Sequence, residues 1–329
     1  MTNLVARLSA LLLIAFIGFS PSAGAQTYPV KPITYIVPST PGGPTDLFSR
    51  VLAHLLSSSI GQPVVVENVA GASGAVAMNR IARAAPDGYT IGLGVTGALA
   101  INKALLGDRL TYNPVTDFSP VTLTANFVNV LVIDPKLPIN SIADLVAYAK
   151  ANPTKINFGS AGNGASNHLS GELLKKLTGA PMEHVAYKGN SPALADVMAG
   201  RLTFMFDSLN TSVPMIRAGR VRAIAVTSSV RSQYLPEVPT IAEAGLPGFA
   251  QAGSDLWFGI VGPANMPPAV VEKLNTHLVQ ILKSPEMKQK VEAQFLDVRW
   301  STPEEFKRVI ETDNAKWAKI VKDARVRVD

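Results

Sequence analysis

Two loops combine small residues with hydroxyl groups at positions where a backbone could bind an anion. The first loop (residues 38–46) is Pro-Ser-Thr-Pro-Gly-Gly-Pro-Thr-Asp, and the second loop (residues 159–167) is Gly-Ser-Ala-Gly-Asn-Gly-Ala-Ser-Asn. Each follows a strand-like run and precedes a helix-like run. Glycine lets a ligand approach the backbone, and a helix start offers N–H groups with positive dipole character. Because neither loop contains Lys or Arg, the pattern predicts reversible binding of an anion by neutral groups.

An ordinary structural role remains open for both loops, since strand-to-helix turns often need glycine for strained backbone alone. The acidic residues nearest to the loops, Asp46, Glu183 and Asp207, are interpreted as helix caps or hydrogen-bond anchors rather than general acids. His168 and His184 are interpreted as packed side chains with single hydrogen bonds.

Several catalytic and cofactor sites are excluded. The chain has no Cys and four His, so thiolate nucleophiles, disulfides and Cys-based zinc or iron–sulfur sites are ruled out. No metal site or cofactor is expected. The Gly-x-Gly-x-x-Gly run that starts at Gly92 ends a third strand rather than a first one, which disfavours a dinucleotide site. No Gly-x-Ser-x-Gly sequence surrounds Ser73 or Ser160, and no base is spaced to activate Ser160 or Asp46.

Strand-like and helix-like runs alternate along the chain, which indicates an α/β fold with parallel strands and crossover helices. The predicted strands are 33–37, 64–67, 89–95, 157–160, 183–186, 204–207, 223–227 and 257–261. A long extended stretch at 121–133 is either two strands or one strand that crosses between lobes. A capping box at Ser141 opens one helix, and the chain closes on two amphipathic helices at about 268–283 and 303–324.

This order predicts two α/β lobes. Residues 26–125 form the first part of lobe 1, residues 126–248 form lobe 2, and residues 249–329 return to lobe 1 and its C-terminal helices. Residues 1–25 have the pattern of a signal peptide, with Arg7, an apolar run and an Ala-Gly-Ala site that predicts cleavage after Ala25. With no Cys for a lipid anchor, the expected location is the periplasm.

The net charge of +6 does not indicate a nucleic-acid partner. Basic and acidic residues alternate from Glu272 to Arg327, which is typical of solvated helix faces. No basic patch with interleaved aromatic residues is present.

A series of short motifs follows the chain in a fixed order. They are Pro41-Gly42-Gly43-x-x-Asp46, Pro86-Asp87-Gly88-Tyr89-Thr90, Asp117-Phe118-Ser119-Pro120-Val121, Gly159-Ser160-Ala161-Gly162 with His168-Leu169, His184-Val185-Ala186-Tyr187-Lys188-Gly189, Ala199-Gly200, Ala218-Gly219-Arg220-Val221-Arg222-Ala223, Val238-Pro239-Thr240-Ile241-Ala242-Glu243-Ala244-Gly245 and Trp257-Phe258-Gly259. The series covers nearly the whole of the chain after residue 25. It resembles the solute receptors of tripartite tricarboxylate transporters, often called Bug proteins.

The resemblance implies a periplasmic binding protein of the two-lobed (type II, Venus flytrap) kind, in which each lobe is a mixed sheet flanked by helices. It also implies that the lobes close on a small organic carboxylate. It implies that the two loops hold one carboxylate through backbone N–H groups, hydroxyls and ordered water. Carried onto this chain, the ligand-binding residues are Thr40, Gly42, Gly43, Thr45, Asp46, Ala72, Ser73, Ser160, Ala161, Ser166 and Asp207. Ser39-Thr40 and Ala72-Ser73 depart from the family pattern; the second pair replaces a usual Gly-rich turn.

The expected partners are a small carboxylate (a di- or tricarboxylate, an aromatic acid or an acidic amino acid) and the membrane permease subunits of a tripartite carrier. We expect a monomer that is not an enzyme. Two alternatives remain: a receptor that delivers the liganded state to a membrane sensor, and an exported hydrolase that uses Asp46 or Ser160. The expected hinges of lobe closure lie near 124–126 and 248–253.

Overall fold

The computed structural model describes residues 28–42, 44–249 and 256–324. The predicted signal peptide, Gly43 and most of the second predicted hinge lie outside these ranges. Both sheets of the protein lie within one compact unit, Lys31–Asp329.

The strands and helices are numbered in chain order. The strands are β1 Ile33–Val37, β2 Val64–Asn68, β3 Thr90–Val95, β4 Phe118–Phe127, β5 Asn129–Ile133, β6 Asn157–Ser160, β7 Glu183–Ala186, β8 Phe204–Ser208, β9 Arg222–Val226, β10 Leu256–Pro263 and β11 Asp297–Val298. The helices are α1 Pro44–Ile60, α2 Ala75–Ala82, α3 Asn102–Leu106, α4 Ile142–Ala151, α5 Ser166–Thr178, α6 Asn190–Met198, α7 Leu209–Arg217, α8 Pro268–Leu282, α9 Pro285–Glu292 and α10 Pro303–Ala324.

The first sheet has the order β11-β4-β10-β3-β1-β2. Its β1 strand lies parallel to both β2 and β3, whereas β10 runs antiparallel to β3 and β4. The first loop therefore leaves the carboxyl end of β1, between two parallel neighbours. This is the edge at which open α/β sheets bind ligands.

The second sheet has the order β7-β6-β8-β5-β9. Strands β7, β6 and β8 are parallel, while β5 is antiparallel to β8 and β9. The second loop follows β6, again between two parallel neighbours. Aromatic packing supports this position, because Phe158 on β6 stacks on Phe204 of β8 with ring centroids 5.5 Å apart.

Each sheet is mixed and has helices against it, which confirms the predicted fold class. The extended stretch at 121–133 is two strands, since β4 belongs to the first sheet and β5 to the second, with Val128 between them. The predicted lobe boundary at residue 125 falls inside β4. Helix α10 also joins the two halves, because Ile320 packs against a buried apolar cluster of each sheet.

The glycines of the Gly-x-Gly-x-x-Gly run have a packing role. A Cβ on Gly92 would lie 2.0 Å from Cδ1 of Ile81, and one on Gly94 would lie 2.3 Å from Cδ1 of Leu99. Both glycines lie inside β3, so helix packing accounts for them. No helix in the described ranges is long and apolar enough to cross a bilayer.

Candidate functional site

Asp46 anchors the first loop from beneath. Its side chain is 2% exposed, and its carboxylate accepts hydrogen bonds from the Gly42 N–H (2.8 Å), Arg50 Nε (2.9 Å) and Asn68 Nδ2 (2.8 Å). Burial pushes the pKa of Asp46 upward, but the bonds from Arg50, Gly42 and Asn68 outweigh it and the net direction is downward. An ionised Asp46 therefore holds the loop in place.

The rest of the first loop is open. Thr40 and Gly42 are exposed and Thr45 is half-buried. Gly42 has a φ of +79°, a conformation that glycine adopts without strain. The buried Ser39 Oγ has no hydrogen-bond partner among the described residues, whereas Gly43 lies outside them.

The second loop is tied to itself at its start. The buried Ser160 Oγ accepts a hydrogen bond from the Gly162 N–H at 3.1 Å. The Ala161 N–H donates to Asn167 Oδ1, also at 3.1 Å. These two N–H groups therefore already have partners inside the protein.

Two stacked histidines hold this loop at its ends. His184 Nε2 lies 2.6 Å from Ser160 Oγ, and the Gly164 N–H donates to His168 Nδ1 at 3.1 Å. Their ring centroids are 4.0 Å apart. Burial, with the positive charge of Lys175 nearby, lowers the pKa of His184 to about 4 and that of His168 to about 3, so both rings are neutral.

The expectation that no base is placed to activate Ser160 was wrong. His184 lies 24 residues further along the chain, but β6 and β7 pair in parallel with Phe158 opposite His184. Spacing in the sequence could not show this contact, because the parallel pairing of β6 and β7 creates it. The interpretation of His168 and His184 as packed, singly bonded side chains agrees with the structure.

An amide network supports the second loop from below. Asn167 Nδ2 donates to Asn190 Oδ1 (3.1 Å), and Asn190 Nδ2 donates to Asp207 Oδ1 (2.7 Å). Asp207 is fully buried and also accepts bonds from the hydroxyls of Thr211 and Ser212, both at 2.6 Å. Burial raises the pKa of Asp207, against the opposing effect of these donors. Asp207 is thus a hydrogen-bond anchor, as interpreted from the sequence.

Helix α5 starts at Ser166, within the last residues of the second loop. Its N-cap is Ala165, which makes no side-chain capping bond, so the first turn depends on other acceptors for its N–H groups. The hydroxyl of Ser166, in this turn, accepts a hydrogen bond from Asn129 Nδ2 at 3.2 Å. Asn129 begins β5, where the chain enters the second sheet.

The turn at residues 71–74, which carries Ala72 and Ser73, meets the second loop. Ser73 Oγ donates to the carbonyl oxygen of Asn163 at 2.6 Å. Among the described residues, no hydrogen bond joins the first loop to the second loop. The structure therefore places Ser73 in contact with the second loop. It shows no such hydrogen bond to the second loop from the predicted first-loop residues that it describes, which are Thr40, Gly42, Thr45 and Asp46.

Sequence analysis missed the polar residues that support the loops, which are Arg50, Asn68, Asn129, Asn167 and Asn190, and it missed the contact of His184 with Ser160. Asn167 lies within the second loop and Arg50 lies four residues after Asp46 on α1, so local spacing could have found both. The others lie on neighbouring strands and helices, and only the fold brings them to the loops.

Neither metal chemistry nor the described cavity points to another site. Nowhere in the described ranges do three or more His, Asp or Glu side chains gather as metal ligands. A cavity of about 650 Å³ lies between β4, β10 and α10 and contains none of the predicted site residues.

Comparison with known proteins supplies the family. A model of the "Tripartite tricarboxylate transporter family receptor" matches residues 48–326. Protein BugT of Bordetella pertussis is 36% identical over 329 residues, which is 100% of this chain and 99% of BugT. The structure of R. palustris Rpa4515 with adipate has a TM-score of 0.85 and 36% identity, over 91% of this chain and 99% of that one.

A second solved structure, MatC from Rhodopseudomonas palustris with bound malate, has a TM-score of 0.81 and 31% identity, over 89% of this chain and all of that one. Family match, full-length relatives and shared fold agree: the chain belongs to the receptors of the tripartite tricarboxylate transporter family, the Bug-type periplasmic solute-binding proteins.

Proposed function

We propose that this protein captures a small organic carboxylate in the periplasm and delivers it to the membrane permease subunits of a tripartite carrier. The observation that carries the proposal is the pair of strand-to-helix loops, one on each sheet, each of which follows a parallel strand and carries glycine and hydroxyl residues without a basic side chain. Two relatives have structures with adipate and malate, which supports a di- or tricarboxylate. Aromatic acids and acidic amino acids are the other candidates.

The residues divide into those that contact the ligand and those that position them. On one side, Thr40, Gly42, Gly43 and Thr45 offer N–H groups and hydroxyls to one carboxylate. On the other side, Ser160, Ala161 and Ser166 are the predicted contacts, although the Ala161 N–H must first leave Asn167. Ala72 and Ser73 border the far end of the pocket.

Asp46 and Asp207 position their loops, because their oxygens already accept three hydrogen bonds each from protein groups. An ionised Asp46 would also repel a bound carboxylate at contact distance. We therefore assign its contribution to binding to the loop that it anchors.

Neutral donors suit capture followed by release. About four hydrogen bonds to a charged ligand contribute roughly 1.5–3 kcal/mol each, and association costs several kcal/mol. The balance is compatible with about −8 kcal/mol, which is micromolar affinity.

A hydrolase is the second candidate because Ser160 and His184 are within hydrogen-bond distance. Among the described residues, however, no carboxylate hydrogen-bonds to His184 to orient it as a base. We infer that His184 holds the loop and that the protein is not an enzyme. Turnover of an ester or amide panel by the purified protein, abolished in Ser160→Ala, would overturn this.

The test of the binding function is a thermal-shift screen against di- and tricarboxylates, aromatic acids and acidic amino acids. A ligand at 100 times its Kd adds about 2.7 kcal/mol of stability. Calorimetry on Gly43→Val then tests the first loop, since a β-branched side chain would crowd its N–H groups. Gly61→Val is the matched control, at a glycine with φ +78° beyond the other end of α1. Unchanged affinity in Gly43→Val would contradict the assignment of this loop.

The remaining proposals concern organisation and partners. We propose lobes at 26–125 with 249–329 and at 126–248, hinges near 124–126 and 248–253, a signal peptide cleaved after Ala25, and a monomer. A receptor for a membrane sensor would share all of these. Carboxylate uptake in cells that lack this gene distinguishes the two, because only a transport receptor is needed for uptake.

A further inference from the structure

The turn at residues 71–74 has an unusual backbone. Gly71, Ala72, Ser73 and Gly74 all have positive φ values, of 132°, 44°, 50° and 89°. Left-handed backbone is costly for residues with a Cβ, and two such residues in succession are rare outside functional sites. Glycine would remove this strain at Ala72 and Ser73, yet the chain carries side chains at both positions.

In this conformation the Ser73 side chain makes a hydrogen bond to the second loop. Its Oγ donates to the carbonyl oxygen of Asn163 at 2.6 Å, a short hydrogen bond between the region after β2 and the loop after β6. The two partners are 90 residues apart in sequence and belong to loops of different sheets. Alanine or glycine at position 73 could not make this bond.

The surrounding contacts keep the turn against the second loop. A Cβ on Gly162 would lie 3.6 Å from Ser73 Oγ, and one on Gly164 would lie 3.0 Å from Asn102 Oδ1, a residue at the start of α3. On the other side, a Cβ on Gly74 would lie 3.3 Å from Cβ of Pro38, at the start of the first loop. The turn is therefore packed between the two predicted ligand-binding loops.

We propose that Ser73 is a positioning residue that clasps the two lobes together, through its hydrogen bond to the Asn163 carbonyl, before any ligand binds. The bond stabilises the closed arrangement of the loops, so the ligand needs to supply less of the free energy of lobe closure. A closed state that is already populated raises the apparent affinity and slows ligand release. This inference rests on the proposed function only for the consequence of closure, because the clasp itself needs no ligand.

The test measures lobe separation without ligand. The chain has no Cys, so Leu47→Cys and Lys188→Cys supply the only two sites for spin labels, one beside each loop. Double electron–electron resonance then reports the distance between lobes. Ser73→Ala and Ser73→Gly should both shift the distribution to longer distances, and small-angle scattering on the unlabelled variants should show a larger radius of gyration.

Melting temperatures distinguish loss of the Ser73 hydrogen bond from general destabilisation of the protein. Ser73→Gly relieves the left-handed strain that Ser73→Ala retains, so its melting temperature should be higher than that of Ser73→Ala, although the lobes open in both. Asn265→Gly is the matched control, since Asn265 has a φ of 63° in an exposed loop between β10 and α8. It should raise the melting temperature without changing the distance distribution.

Ligand kinetics give the functional readout. Loss of one net hydrogen bond of about 1 kcal/mol corresponds to about a fivefold faster release of a carboxylate found in the screen. An unchanged distance distribution in Ser73→Ala and Ser73→Gly would overturn the clasp, whatever the ligand screen finds. A screen without a carboxylate ligand would overturn the proposed function instead, and the distance measurement would still decide the clasp.

Discussion

The two loops have the same position on their sheets but are held by different chemistry. The first loop depends on an ionised carboxylate, because Asp46 accepts bonds from Gly42, Arg50 and Asn68. The second loop depends on two neutral imidazoles and on a chain of amides that ends at the buried carboxyl group of Asp207. Support of the first loop is concentrated in one residue, whereas support of the second is distributed.

Because of this difference, loops of similar sequence need not respond alike to substitution, salt or pH. A loop that one residue supports should lose its position when that residue is substituted. A loop that several residues support should lose stability in smaller steps, one for each substitution. A charged anchor responds to salt, and neutral imidazoles respond to acid. Each of these contrasts can be measured.

The largest effect is expected for Asp46→Ala. The substitution leaves the Gly42 N–H, Arg50 and Asn68 without their acceptor in a buried place, so the free energy of unfolding should fall by about 3 kcal/mol. Affinity should fall as well, since the loop loses its anchor. Urea unfolding and calorimetry measure the two effects.

The matched variant Asp46→Asn retains one acceptor oxygen and the volume of the side chain. It should lose about half as much stability, because its amide oxygen can still accept the bonds that Gly42 and Arg50 donate to Oδ2, whereas its NH2 group faces the donor of Asn68. If Asp46→Ala lowered the free energy of unfolding by less than about 1 kcal/mol, the first loop would not depend on Asp46 as its main support.

Acid should weaken the support of the second loop next. His168 is 4% exposed, and its pKa is lowered by burial, by His184 and by Lys175 from 6.5 to about 3. The unfolded chain therefore binds a proton first as the pH falls, and stability decreases from about pH 6.5 downward. The loss for this one group is about 1.4 kcal/mol per pH unit, or about 2 kcal/mol between pH 6.5 and 5.

His168→Asn is the test of this pH dependence. Asparagine places an oxygen where His168 Nδ1 accepts the Gly164 N–H, but it does not titrate. Unfolding free energies at pH 6.5 and pH 5 should differ less in the variant than in the wild type. Ordinary carboxylates titrate below about pH 5 and would mask the effect there. If the free energy of unfolding changed equally between the two pH values in both proteins, His168 would not be the titrating group.

The amide network should show an intermediate effect. Asn190→Ala breaks the link between Asn167 and Asp207, at a cost of about 1.5 kcal/mol, and should reduce carboxylate affinity. Asn157→Ala is the control, because Asn157 bonds to Thr203 and Arg201 at the opposite end of β6. It should cost similar stability and leave affinity unchanged. An equal loss of affinity in both would show that general destabilisation explains the result.

Composition and periodicity were sufficient for the α/β class and most strands. They predicted parallel strands, so the mixed sheets followed only from the family resemblance. They also found both loops, because glycine and hydroxyl residues after a strand are visible locally. The supporting residues were not visible, since Asn68, Asn129 and His184 reach the loops only through the pairing of strands. Ser160 shows the consequence, because its nearest base is set by the register of β6 and β7. The helices α3, α6, α7 and α9 were not predicted. Helix α7 contains Pro214, a residue that is unfavourable inside a helix.

The smallest effect is expected for Arg50→Gln. The Arg50 side chain is 51% exposed, and its bond to Asp46 is shared with those from Gly42 and Asn68. Exposed ion pairs contribute about 0.2–1 kcal/mol, so the variant should lose less than about 1 kcal/mol. The loss should shrink in 1 M salt, where the Debye length is about 3 Å rather than about 10 Å at 0.1 M.

The same salt comparison on Asn190→Ala should show no change, because the groups that Asn190 joins are buried and its own side chain is neutral. The contrast between the two variants measures the charged and neutral supports directly. A loss in Arg50→Gln that is independent of salt would mean that the guanidinium acts through packing and hydrogen-bond geometry, and that the Asp46 anchor holds the first loop without help from charge. The two loops would then differ in how concentrated their support is, but no longer in its electrostatic character.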